Sequence, residues 1–247
     1  MTTLFHPAGK RGRAEHGWLS SRFSFSFAGW HNPDRMGFGA LRVINDDTIA
    51  PSSGFGMHPH RDMEIITIVT EGAVTHKDSA ANEGVVAAGD VQVMSAGTGV
   101  LHSEYNNSST EPLKLFQIWI MPNRQGAPVR YTQKSFDFLK ATDSQLSLVA
   151  PLGKAREGEL MLNQDAWITY ADIRSRPFNY SLKQEGNGVY VFVIAGNCTV
   201  AGMELSARDA LGISNAPSFS VAGGAQLLLI EVPETQAYSP GESATET

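Results

Sequence analysis

The chain has 247 residues, 42% of them hydrophobic and 18% charged, with a formal net charge of −6 at pH 7. That length allows one large or two medium domains with proper cores, and the acidic balance excludes a surface that tracks nucleic-acid phosphates with clustered Lys and Arg. A single cysteine, Cys198, excludes an internal disulfide and suits a reducing compartment. The N-terminus lacks an apolar run of signal-peptide length and no stretch approaches a membrane span, so a cytoplasmic location is expected.

In chain order, the basic run Lys10, Arg11 and Arg13 reads as a solvated N-terminal segment. Alternation in SRFSFSF predicts a half-buried strand over Ser21 to Phe27 with Phe23, Phe25 and Phe27 on one face. Gly29 to Gly39 reads as a loop, Ala40 to Ile44 as a short strand, and Asn45, Asp46 and Asp47 as the turn that closes it. EIITIVT from Glu64 is a β-branched strand, Glu71-Gly72 a turn, and Ala73 to Lys77 its return. On that return strand His76 reads as a polar face residue. Gly89-Asp90 turns into Val91 to Met94, the glycine-rich Ser95 to Gly99 follows, and Leu113 to Met121 is a long strand stopped by Pro122. No segment has the length and period of a major helix, and the 24 glycines and 12 prolines suit short strands joined by turns.

The second half repeats the first in outline: TEGAVTH is similar to VIAGNCTV, AAGDVQVM to SARDALGI, and LFQIWIMP to LLLIEVP. Two copies of one supersecondary unit imply an all-β chain of two small barrels or sandwiches. The expected organisation is a first domain over 1–122, a linker over 123–143, a second domain over 144–235 without metal ligands, and a solvated, flexible tail over 236–247. Cys198, in an apolar run, reads as a buried structural thiol.

Chemistry concentrates in two short stretches. His58 and His60 flank one proline, and on a strand such a pair points the same way with backbones about 6.5 Å apart. His102 and Glu104 repeat that spacing around Ser103. If the two strands pair inside a barrel, four ligand-type groups converge on one ion. All seven histidines lie in the first 102 residues, which places any such site in the first domain. Phe55, Met57, Ile66 and Phe116 are candidates for shaping a pocket or for packing the core. A serine hydrolase is poorly supported, because no G-x-S-x-G elbow is present.

These residues resemble the cupin superfamily and, within it, the pirin family. The first cupin motif is met by His58, His60 and Glu64, with Gly54 closer to the histidines than the pattern asks and Gly72 one place late. The second is met by Gly89, Gly97, His102 and Asn106, with Ser95 in place of proline and two extra residues before the histidine. HPHRDMEIITIVTEG and MSAGTGVLHSEYN are close to the pirin pattern in both places. HGWLSSRFSFSFAGW and LFQIWIMP extend the similarity over most of the first domain; the second is covered only loosely.

The resemblance implies a bicupin with one divalent transition metal, Fe(II) foremost and Mn, Ni, Cu or Zn as alternatives, bound by His58, His60, His102 and Glu104. It implies that Glu64 is not a ligand, although spacing alone leaves Glu64 eligible. It also implies the activity of bacterial pirin-like quercetin 2,3-dioxygenases, with a small aromatic flavonol and dioxygen as substrates. Three neutral imidazoles and one carboxylate leave a divalent ion electrophilic and, at six coordination, with two open positions. Glu104 is then the catalytic group expected to accept the proton of a substrate hydroxyl. The rival reading, from eukaryotic pirins, is a metal-dependent redox-sensing module for a protein partner. No nucleic acid or membrane partner is expected.

Overall fold

The computed structural model describes residues 1–174 and 176–234, so the expected tail lies outside the described residues. Strands dominate: β1 (Thr2–His6), β2 (Gly12–Glu15), β3 (Leu19–Phe23), β4 (Leu41–Ile49), β5 (Gly54–His60), β6 (Glu64–Glu71), β7 (Ala73–Asp78), β8 (Glu83–Ala87), β9 (Asp90–Ser95) and β10 (Val100–Asn106) come first. They are followed by β11 (Leu113–Ile120), β12 (Arg130–Ser135), β13 (Ser144–Pro151), β14 (Leu160–Leu162), β15 (Trp167–Ile173), β16 (Phe178–Ser181), β17 (Asn187–Val200), β18 (Met203–Ser206), β19 (Ala210–Ser214) and β20 (Ser218–Pro233). Helix is confined, among the described residues, to the single 3-10 turns Ala8–Lys10 and Phe138–Lys140. No described helix is long and apolar enough to cross a membrane.

The repeat read from the sequence is present in the central strands of the two large sheets. One sheet runs β12-β9-β6-β11-β4-β3-β2 and another runs β1-β19-β17-β20-β15-β13-β14, so β9, β6 and β11 correspond to β19, β17 and β20. A third sheet, β5-β10-β7-β8, faces the first and closes a barrel around it. The second unit closes by bending its own long strands: β17 shifts register between Val193 and Ala195, and β18 and β16 pair with the far halves of β17 and β20. Two segments pair outside the expected boundaries. β1 adds to the second sheet against β19, and β12, from within the stretch read as a linker, adds to the first sheet against β9.

Strand alternation explains why EIITIVT looks continuously apolar: both faces of β6 are buried. Ile66 and Ile68 point away from the barrel and join Phe116, Ile118, Phe192, Tyr190, Leu228 and Ile230 in the core between the two units. Ile65 packs with Met94, Ala96 and Val100, and Val69 with Leu115, Val74 and Val86. Those two groups form separate apolar layers inside the first barrel, and Thr67, midway between Ile65 and Val69, marks a polar layer between them.

Three local readings are corrected. Asn45, Asp46 and Asp47 do not turn; they continue β4. The two aspartates find partners remote in the chain instead: Asp47 accepts from Ser21 Oγ, and Asp46 pairs with Arg11 (3.2 Å) and Arg208 (2.7 Å). For the same reason Arg11 is not solvated: its side chain is 4% exposed and lies over the Phe192 ring. The aromatic strand ends at Phe23, and Phe25 departs to the core between the units, against Tyr190 and His6. Cys198 is a buried free thiol, as expected, and burial pushes it up to about 11.

Burial raises the Asp47 carboxyl to about 7, with the Ser21 hydrogen bond opposing and Asp46 and Glu104 reinforcing. Between the unfolded value near 4 and that folded value, the folded state holds a proton that the unfolded chain has released. Stability therefore falls as pH rises through this window. Asp47→Asn should remove that slope, gaining on the order of 2–4 kcal/mol relative to wild type between pH 4 and pH 8. Urea midpoints of both proteins across that range are the check; parallel curves would contradict it.

Candidate metal centre

The site sits where β10 crosses between β5 and β7. Register sets His102 opposite His58 on β5, and the unbroken ladder on the other side of β10 sets Glu104 opposite His76 on β7, with a bulge against β5 between the two residues. Gly97 makes the approach to β10 possible: its φ is +42°, and a side chain there would strike the Ala127 carbonyl.

The ligand atoms of His58, His60 and His102 lie within 4.8 Å of one another, and their ring centroids are 4.4 to 4.9 Å apart. His58 Nδ1 donates to the Gly56 carbonyl at 2.7 Å, which leaves Nε2 with its lone pair. His60 Nε2 and both nitrogens of His102 are buried without a hydrogen-bond partner. Unpaired buried nitrogens are rare and costly unless something else binds them. Burial first, and then the neighbouring histidines, push His60 and His102 down to about 3. Both rings are therefore neutral near pH 7, the form in which imidazole ligates. These features fit a metal cation.

Glu104, 2% exposed, belongs to a second group with His102 and His76, again with ligand atoms within 4.8 Å. Its carboxylate is fixed by the polar layer. Oε1 accepts from Thr67 Oγ1 and Gln92 Nε2, both at 3.2 Å, and Oε2 accepts from Gln117 Nε2 at 2.9 Å. Gln92, Thr67 and Gln117 are direct neighbours on β9, β6 and β11. A carboxylate has about four acceptor positions, so these bonds leave one, on Oε2. Trp119 Nε1 donates to Gln117 Oε1 at 3.2 Å and turns the amide nitrogen towards Glu104, while the Trp119 ring lies 4.9 Å from His60.

The four expected ligands thus fall into two groups that share His102, and His76, read from the sequence as a polar face residue, joins the second. Glu64 lies in neither: Ser95 Oγ and Asn163 Nδ2 donate to it at 2.7 and 3.0 Å, which ties the first unit to the second. Of the pocket candidates, Ile66 and Phe116 are core, Met57 is 58% exposed, and Phe55 lies between Trp18 and His58. Gln92, Thr67 and Gln117 escaped the sequence reading, although each is a polar residue between two apolar neighbours in its strand. β5 is the edge of its sheet and His58 and His60 are only half-buried, so the histidines meet solvent there. Two clefts of about 170 and 270 Å³ lie at the junction of the units, lined by Asn123, Leu152 and Gln164 in one and by Phe138, Tyr170 and Arg208 in the other. Neither includes a site histidine.

The family model described as Pirin matches residues 5–120, and one described as Quercetinase C-terminal cupin domain matches residues 148–232. The chain is 44% identical over 229 residues to a protein of Escherichia coli K12 named quercetin 2,3-dioxygenase, covering 92% of this chain and 96% of that one. It is 40% identical over 228 residues to a pirin-like protein of Caulobacter vibrioides, covering 91% and 97%. Among solved structures, bacterial pirin YhhW of E. coli in complex with nickel(II) superposes with a TM-score of 0.88 at 41% identity, over 95% of this chain and 100% of that one. On these grounds the chain belongs to the pirin family and is built from two cupin domains.

Proposed function

We propose that this protein is a metal-dependent dioxygenase of the pirin type, acting on a flavonol such as quercetin, with a divalent ion held by His58, His60, His102 and Glu104. The observation that carries this reading is the convergence of three imidazoles, those of His60 and His102 with buried unpartnered nitrogens, beside an anchored carboxylate, at a solvent-facing strand edge. The names of the E. coli relatives and the nickel in one of them support it. Fe(II) remains the ion first expected, with Ni(II) a named alternative. The bound ion supplies a Lewis-acidic centre for an aromatic hydroxyl.

The protein's own groups do the rest. Phe55, 6.3 Å from His58 and 5.1 Å from Trp18 between ring centroids, offers an aromatic edge at the barrel mouth for the flavonol ring. Glu104 would take the hydroxyl proton on its one free Oε2 position when that position leaves the ion, and Thr67, Gln92 and Gln117 keep it aimed inward. The test is loss of the quercetin absorbance band, which should require dioxygen, metal and Glu104, and should fail in Glu104→Gln. A band that persists with Fe(II), Mn(II), Ni(II), Cu(II) and Zn(II) in turn would overturn the flavonol reading and favour the redox-sensing module.

Gln117→Leu should weaken metal binding by about 10–100-fold, the usual cost of losing a group that orients a ligand. Trp119→Phe, which frees the Gln117 amide to rotate, should move affinity the same way by less. Equilibrium dialysis with Ni(II) measures both, and unchanged affinity in Gln117→Leu would show that Glu104 needs no such support.

A further inference from the structure

His76 is a buried histidine beside the four-ligand set that the set does not use. On β7 the side chains of Val74, His76 and Asp78 are buried in alternation, and His76 is 0% exposed. Asp78 is held in place: Oδ1 accepts from the backbone of Ala80 and Asn82, both at 2.9 Å, and from Asn82 Nδ2 at 3.1 Å, while Oδ2 accepts from Asn82 Nδ2 at 2.9 Å. His76 Nε2 reaches Asp78 Oδ2 at 3.4 Å. A carboxylate engaged by so many donors acts there as an acceptor, so Nε2 carries the hydrogen and Nδ1 the lone pair. That Nδ1 is buried with no partner. Tyr131 stacks on the ring at 4.5 Å between centroids, and the ring of His102 lies 5.3 Å away.

One imidazole nitrogen held by a carboxylate while the other stays bare is the arrangement of a metal-ligating histidine. A histidine that served packing alone would leave an unsatisfied nitrogen in the barrel, at a cost that folded proteins rarely carry. We infer that His76, His102 and Glu104 form a second, deeper position for a divalent ion, sharing His102 and Glu104 with the outer one, so that the barrel holds one ion in either of two places. The two positions differ in chemistry. The outer is rich in imidazole, with His58, His60 and His102 beside Glu104, a set that Zn, Cu, Fe and Ni all accept, whereas the inner is two histidines and one carboxylate, the donor set of non-haem Fe(II) sites. Glu104 Oε2 retains an acceptor position for it, as counted above.

This inference rests on the reading of the first barrel as metal-binding, but the variants separate the two. The full chain, stripped with chelator and reloaded with Co(II), is measured for stoichiometry and visible spectrum. His58→Ala/His60→Ala should keep about one equivalent of Co(II), bound more weakly and with a spectrum shifted from wild type. Adding His76→Ala should remove it. His76→Gln, which keeps the volume and the donor to Asp78, replaces alanine if near-UV circular dichroism shows a disturbed fold. The inner position is overturned if the double variant binds no Co(II) while wild type does, or if the triple variant binds as the double does. If wild type itself takes up none, the metal-binding reading fails and the inner position with it.

Discussion

His102→Ala should abolish metal binding and flavonol turnover while leaving the metal-free protein about as stable as wild type. His102 is the donor common to both groups, and it is fully buried with neither nitrogen paired. Removing any other ligand leaves one of the two close groups whole; removing this one breaks both. The loss of affinity should therefore exceed the roughly 10–100-fold that follows deletion of a group behind a ligand. In the metal-free protein the change deletes packing but also relieves an unsatisfied polar ring worth about 1–3 kcal/mol. The two effects oppose each other. Chemical denaturation with and without Ni(II) separates them: the metal-dependent gain should vanish in the variant, and a stabilisation that persisted would place the ion elsewhere.

The second large effect is expected far from the metal. Glu231, on β20, is fully buried in the second unit and accepts five hydrogen bonds. They come from Tyr180 Oη (2.9 Å), from the Lys183 amide to both oxygens (3.0 Å each), and from the Gln184 amide (2.9 Å) and Asn187 Nδ2 (3.1 Å). The carboxylate is thus the organising group of the segment that joins β16 to β17, the part of the second copy that stands where the first carries its ligands. Glu231→Ala strands a hydroxyl, two amides and a side-chain amide in the interior. The expected loss is about 3–5 kcal/mol. Glu231→Gln keeps the shape but turns one acceptor into a donor facing donors, and should lose about half as much. Urea unfolding is the measurement, and a loss under about 1 kcal/mol in Glu231→Ala would show that water replaces the carboxylate.

Local period made the strands and the two ligand pairs legible. His58 with His60, and His102 with Glu104, are two residues apart, and two is the period of a strand, so no tertiary information was needed to aim each pair. The internal repeat was likewise readable and reappears as matching strand orders in the two large sheets. What could not be read depends on partners remote in the chain. His76 becomes part of the site only because β7 pairs with β10 in a register that sets it against Glu104. Asn45, Asp46 and Asp47 have turn chemistry, and partners from distant parts of the chain keep them in a strand: β3 and β11 pair with all three, Ser21 takes the Asp47 side chain, and Arg11 and Arg208 take that of Asp46. The exchange of β1 onto the second sheet leaves no mark in its own five residues. Thr67, Gln92 and Gln117 lie between these cases: each breaks an apolar run at an inward position, a signal that becomes specific once the three strands are known to be neighbours.

The most direct test of the metal centre is a crystal structure of the full chain loaded with Ni(II), with anomalous scattering recorded above and below the nickel edge. One peak should appear inside the first barrel, within bonding distance, about 2.1 Å, of His102 and of the histidines of the outer group or of His76 and Glu104. No peak in the barrel, or a peak whose ligands do not include His102, would contradict the account.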